Sequence, residues 1–155
     1  MLAEVLAAAV AVGPTTLVTE VDAARARALA EEHGAVVVDD PGRGQGEAVA
    51  TALAAVTEWP VLVVNADLPL VQPRDLLALL GAMPSNGIAI AAAPDGTTNA
   101  IALARAGLFA PLYGPGSAER FREHAEALGV EFVALDVPAL AEDVDTVAGL
   151  EQLAS

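Results

Sequence analysis

Apolar positions in this chain recur in two rhythms, short aliphatic runs and longer amphipathic stretches, and the two alternate from one end to the other. Residues 2–12 are alanine-rich and stopped by Gly13-Pro14, which predicts a helix. Thr15-Thr-Leu-Val-Thr19 reads as a short strand. Residues 22–33 predict a second helix, with Asp22 near its N-cap and Gly34 as its stop, and residues 35–40 (A-V-V-V-D-D) a second strand. The loop Pro41-Gly-Arg-Gly-Gln-Gly46 then leads into a helix over about 47–57. The run Val61-Leu-Val-Val64, followed by Asn65-Ala-Asp67, reads as a strand buried on both faces, as in a parallel sheet covered by helices. Pro73 starts a helix through about residue 83. Strands are expected at 87–93 and 100–104, joined by the polar turn Pro94-Asp-Gly-Thr-Thr-Asn99. A helix from Ser117 to Leu128, stopped by Gly129, a strand at 131–135 and a last short helix opening at Asp143 complete the pattern. Such alternation predicts one α/β domain over 1–155, doubly wound and mostly parallel, with an antiparallel excursion near 87–104.

Several positions could carry chemistry, each beside a plainer role. Asp67 falls at the C-terminal end of its strand, where open α/β sheets place ligands and where one carboxylate beside a phosphate holds magnesium; the alternative is a cap on the turn before Pro73. The glycines around Gln45 and Gly46 let backbone approach a ligand and set a helix N-terminus toward an anion, though a flexible loop has the same composition. Thr98 and Asn99 offer oxygen-binding side chains that any hairpin turn also uses. Gly114, Gly116 and Ser117 form either an anion site or a simple helix cap, with Ser117 as the N-cap. Asp143 and Asp145 would share one face of an extended segment and suit a cation, while capping explains Asp145 equally well. No Ser-His-Asp or Cys-His arrangement is apparent, and His33 and His124 fall on expected helix surfaces.

Composition narrows the classes. The 155 residues carry 55% hydrophobic side chains, enough for one substantial core. Twenty-one acids stand against seven arginines and no lysine, a net charge of −14, so neither a nucleic-acid backbone nor an anionic membrane is an expected partner. A phosphorylated substrate remains compatible through local arginines, backbone amides and a divalent cation. The absence of cysteine fits a reducing cytoplasm. Despite a mean hydropathy of +0.53, the uncharged stretch 76–94 is broken by Gly81, Pro84, Ser85, Asn86 and Gly87, which argues against a membrane span. Residues 1–12 carry Glu4 and no basic flank, unlike a signal peptide.

Four motifs in series, N-A-D-L-P-L at 65–70, D-G-T-T-N-A at 95–100, Y-G-P-G-S at 113–117 and D-V-D-T at 143–146, resemble the 2-phospho-L-lactate guanylyltransferase family, whose actinobacterial-type members use phosphoenolpyruvate in coenzyme F-420 biosynthesis. The resemblance runs from about Thr15 to Leu150. It implies a nucleotide-diphospho-sugar transferase type of α/β fold and transfer of GMP from GTP to a phosphorylated three-carbon acid, with pyrophosphate released. Asp67, Asp143 and Asp145 would hold Mg²⁺. Thr98, Asn99, Gly114 and Ser117 would contact the phosphoacid, and Gln45 and Gly46 would lie by the guanine base. A cytoplasmic enzyme is implied, and a homodimer is compatible with it. The chain departs from the family in starting on the helix expected after the family's first strand and lysine-bearing loop, in Phe121 where a histidine is usual, and in Gly149 where an acid is expected. The alternatives are a molybdenum-cofactor-type nucleotidyltransferase and a catalytically inactive, truncated phosphoacid- or nucleotide-binding domain.

Overall fold

A computed structural model describes residues 1–142. The elements follow the expected alternation: α1 (Leu2–Val12), β1 (Thr16–Thr19), α2 (Ala24–His33), β2 (Val36–Asp39), α3 (Gln45–Ala54), β3 (Val61–Val64), α4 (Pro73–Ala82), β4 (Gly87–Ala92), β5 (Thr98–Leu103), α5 (Ser117–Leu128), β6 (Glu131–Ala134) and α6 (Pro138–Ala141). Asp143 and Asp145, with the helix expected there, lie outside the described residues.

Among the described residues the strands form two sheets. β1 and β2 pair in parallel, and the second sheet has the order β3-β5-β4-β6. β5 runs antiparallel to both its neighbours, while β4 and β6 are parallel, so the antiparallel excursion falls where the sequence placed it. Its core is built by alternation, because successive strand residues face opposite sides. Ala89, Ala91, Ala100 and Ala102 turn to one face, where their small side chains admit Val5 and Ala8 of α1, Leu76 and Leu79 of α4, and Leu140 of α6. Ile88, Ile90, Ile101 and Leu103 fill the other face against Phe121 and Ala125 of α5.

The boundaries depart from the sequence expectation in four instructive places. β3 stops at Val64, and all four of its residues are half-buried rather than enclosed on both faces. It pairs with β5 alone among the described strands, which leaves its second edge without a neighbour to bury it. β5 begins at Thr98, so Thr98 and Asn99 belong to the strand and not to the turn, and both are buried. A register shift between Ala91 and Ala92 brings Thr98 opposite Ala92 and lengthens the ladder by that pair. Asp22 does not cap α2, which starts at Ala24 without a side-chain cap. α6 was not expected; Pro138 supplies the pre-set φ of its first residue.

Candidate functional site

Asp67 is carried past the end of β3 by Asn65-Ala66, and it is half-buried at the wall of an open cavity of about 820 Å³. The cap of α4 is made elsewhere: the Gln72 backbone N–H donates to Asp75 Oδ2 at 2.8 Å, with Pro73 at the first helical position. The cavity therefore sits at the C-terminal end of a strand, as expected for an α/β layer structure. Its other walls come from the start of α1, from Arg25 and Leu29 of α2, and from Gln45 at the N-terminus of α3.

Gln45 begins α3 because the loop before it is closed by local bonds. Asp40 Oδ1 accepts the Gly42 N–H at 2.8 Å, and Gly42 and Gly44 take positive φ of 77° and 94°, conformations open to glycine. From there the exposed Gln45 side chain reaches the cavity wall and donates from Nε2 to Asn65 Oδ1 at 2.7 Å. Gly46 is a glycine for a different reason from the one its composition suggested. A Cβ there would lie 2.6 Å from Pro111 Cβ, so the close approach is of α3 to the 109–112 loop, and protein fills the space.

A second group assembles where β5 meets α5. Thr98 and Ser117 are 1% and 0% exposed, and their hydroxyls pair at 2.9 Å. Ser117 is not the N-cap: Gly116, at φ 75°, holds that position, and the Ser117 hydroxyl points to the strand instead of back to its own helix. The first helix amides are also in use, since Ser117 N–H donates to Gly114 O and Ala118 N–H to Gly96 O, both at 3.0 Å. Gly114 lies in a loop whose carbonyls are gathered by Arg120, which donates to Pro115 O at 2.6 Å, Leu112 O at 2.9 Å and Tyr113 O at 3.3 Å. Asp95, in the turn that packs beside them, accepts from the Thr97 hydroxyl and N–H, which hold its carboxyl below the ordinary range. Burial raises the Tyr113 phenol above its usual value, and its ring packs edge-on against Phe121 with centroids 5.7 Å apart. Phe121 is wholly enclosed in that aromatic cluster.

Thus the structure gathers Asp67 and Gln45 at one cavity, and Thr98, Ser117 and Gly114 around the start of α5. Asn99 stands between the groups: it accepts from Asn65 Nδ2 at 3.3 Å and donates to Leu140 O at 2.9 Å. Sequence reasoning missed Arg25, Arg120 and Asn65. Arg25 was noticeable only as one of seven basic side chains in an acidic protein, and Asn65 only as the first residue of the N-A-D motif. His124, expected on a solvated surface, is half-buried with Nε2 3.0 Å from Leu108 O, which requires that nitrogen to carry the proton. No cluster of three or more acidic, histidine or cysteine side chains suited to a metal occurs among the described residues.

Residues 1–127 match the MobA-like NTP transferase domain. The phosphoenolpyruvate guanylyltransferase of Sphaerobacter thermophilus is 37% identical over 130 residues, a region covering 81% of this chain and 62% of the relative. That of Nocardia farcinica is 36% identical over 163 residues, covering 98% of this chain and 70% of the relative. Among solved structures, a Desulfovibrio desulfuricans protein assigned as a nucleotide-diphospho-sugar transferase superposes with a TM-score of 0.74 at 17% identity, covering 98% of this chain and 72% of that one. The fold is therefore that of the nucleotide-diphospho-sugar transferases, and the chain spans a little under two thirds of the Sphaerobacter relative.

Proposed function

Because the chain belongs to the MobA-like NTP transferase family, and within it to the phosphoenolpyruvate/2-phospho-L-lactate guanylyltransferases, we propose that its cavity binds GTP for transfer of GMP to a phosphorylated three-carbon acid. The observation that carries this reading is the meeting of Asp67 at the end of β3 with Gln45 at the start of α3 on one cavity wall. A carboxylate at a strand's C-terminal end and a helix N-terminus are complementary tools for a nucleoside triphosphate, one through a cation and one through backbone N–H groups.

In this reading an oxygen of the acid's phosphate attacks the α-phosphorus of GTP. A new P–O bond forms, the bond to the β-phosphate bridging oxygen breaks, and pyrophosphate leaves with that electron pair. Such chemistry needs alignment and charge neutralisation more than a side-chain nucleophile. Arg25, on the cavity wall without an ion-pair partner among the described residues, meets the triphosphate. Gln45 meets the base. Mg²⁺ fits the donor set because it is commonly held by one or two carboxylates with the remaining positions filled by phosphate and water. Asp67 would hold it, with Asp143 or Asp145 joining as the family resemblance implies, and the ion would supply neutralisation of the phosphate charge. Thr98 and Ser117 act from behind the surface, fixing the loop at Gly114 that receives the phosphoacid. The product would feed coenzyme F-420 biosynthesis in the cytoplasm; no helix among the described residues is long and apolar enough to cross a membrane.

The test is pyrophosphate release with GTP and Mg²⁺, offering phosphoenolpyruvate and 2-phospholactate in turn. Release is expected to require one of the acids and to favour GTP over CTP. Asp67→Asn should lower Mg²⁺-dependent turnover by about 100-fold or more while leaving the thermal unfolding curve in place. Unchanged turnover removes Asp67 from the metal role.

A further inference from the structure

We propose that Asn65 and Asn99 are positioning residues for base selection: a one-way chain of side-chain amides anchors Gln45 and leaves its carbonyl oxygen as the acceptor presented to the base. This rests on the reading of the cavity as a nucleotide site. The polarity of the chain is fixed by two backbone carbonyls, which can only accept. Asn99 Nδ2 donates to Leu140 O at 2.9 Å, so Asn99 Oδ1 must face the other way. Asn65 Nδ2 donates to Thr98 O at 3.2 Å and to Asn99 Oδ1 at 3.3 Å, which commits both its hydrogens. Asn65 Oδ1 is then an obligate acceptor, and it takes Gln45 Nε2 at 2.7 Å.

The register that holds this chain is itself tied down. Asn65 N–H donates to Asn99 O at 2.9 Å, continuing the β3–β5 ladder one residue past the strand. Asn99 is 1% exposed, so its amide cannot turn over without leaving a buried donor or acceptor unmatched. The order Leu140, Asn99, Asn65, Gln45 therefore transmits one orientation from the core to the cavity. At its end Gln45 has given an amide hydrogen to Asn65, and Oε1 has no hydrogen-bond partner among the described residues. An oriented acceptor matches guanine, whose pairing edge sets the N1–H and N2–H donors side by side, better than adenine, whose single N6–H donor stands beside the N1 acceptor.

The discriminating experiment is calorimetric titration of the whole chain with GTP and with ATP, each with Mg²⁺, reading the ratio of the two dissociation constants. Both nucleotides carry the same triphosphate, so the ratio isolates the base. Wild type should prefer GTP, and Gln45→Ala and Asn65→Ala should each reduce the preference roughly tenfold. The double variant should be no worse than Gln45→Ala alone, because Asn65 acts through Gln45. Gln45→Ala keeps the fold out of the question, since position 45 is exposed. Additive loss in the Gln45→Ala, Asn65→Ala pair overturns the anchoring while the nucleotide site itself stands. A wild-type chain that binds GTP no better than ATP overturns the site reading together with this inference.

Discussion

Thr98 and Ser117 hold their hydroxyls against each other at 2.9 Å, with no water-accessible side, and this decides what removing either one costs. Ser117→Ala leaves the Thr98 oxygen buried without its partner, which costs about 1–3 kcal/mol. Thr98→Val alone strands the serine in the same way. The double change Thr98→Val, Ser117→Ala replaces both partners with apolar groups of similar shape and should recover most of the loss, because an empty polar pair is cheaper than half of one. Urea unfolding of the four proteins checks this. If Ser117 were only a helix cap, its replacement would cost a similar amount and Thr98→Val would add to the loss rather than relieve it. The aromatic residue at 121 follows the same local logic. Phe121 is enclosed by Tyr113 and Phe109, at centroid distances of 5.7 and 6.1 Å, so this position supplies apolar packing to the start of α5.

At the scale of elements, α3 is set by a contact that helix propensity would not reveal. Gly46 lies inside the first turn of α3, where alanine is favoured over glycine by about 1 kcal/mol. A Cβ, however, would stand 2.6 Å from Pro111 Cβ and 2.9 Å from Pro111 Cα, and the proline backbone is not free to step aside. The steric term wins, so Gly46→Ala should lower stability by about 1–3 kcal/mol in denaturant unfolding. Because the helix must pivot away with Gln45 at its tip, the same variant should weaken the GTP-over-ATP preference; a more stable protein would show that the loop yields. This contact also explains why parts of the site were hidden in the sequence. Aliphatic runs, Gly-Pro stops and Pro73 fixed most elements, since those signals are local. The sequence could not tell that the glycine at 46 answers to a loop 65 positions away. Nor could it tell that the polar turn 94–99 gives its last two residues to a buried strand, because a ladder pair and a register shift decide that. Asp67 was readable because a single chain segment carries both the strand and the carboxylate. The Asn65 to Asn99 link was not, because it joins residues from neighbouring strands.

Over the whole molecule, burial is uneven in a way that predicts where it opens first. β4 and β5 are almost wholly buried, paired on both sides and covered by α4 and α5, whereas β1, β2 and β3 each pair on one side among the described residues and are at best half-buried. A two-stranded sheet is marginal by itself, so β1–β2 depends on α2 and α3 for its stability. Native-state amide exchange should then find β1–β2 opening at a free energy lower than β4–β5 by roughly 2 kcal/mol or more, a factor of about 30 in rate. β3 should fall between them, because β5 protects one of its edges. Equal protection along all strands would mean the chain opens only as a unit. GTP supplies a second axis to the same measurement. The cavity is walled by α2, the tip of α3 and the segment after β3, so a nucleotide there bridges the weaker sheet to the stronger one. Ligand that binds the assembled cavity stabilises every state in which the walls are together, and it disfavours openings that separate them. Protection in β1 and β2 should therefore rise with GTP far more than protection in β4 and β5, which are already limited by global unfolding. A uniform rise would instead place the nucleotide wholly on the larger sheet.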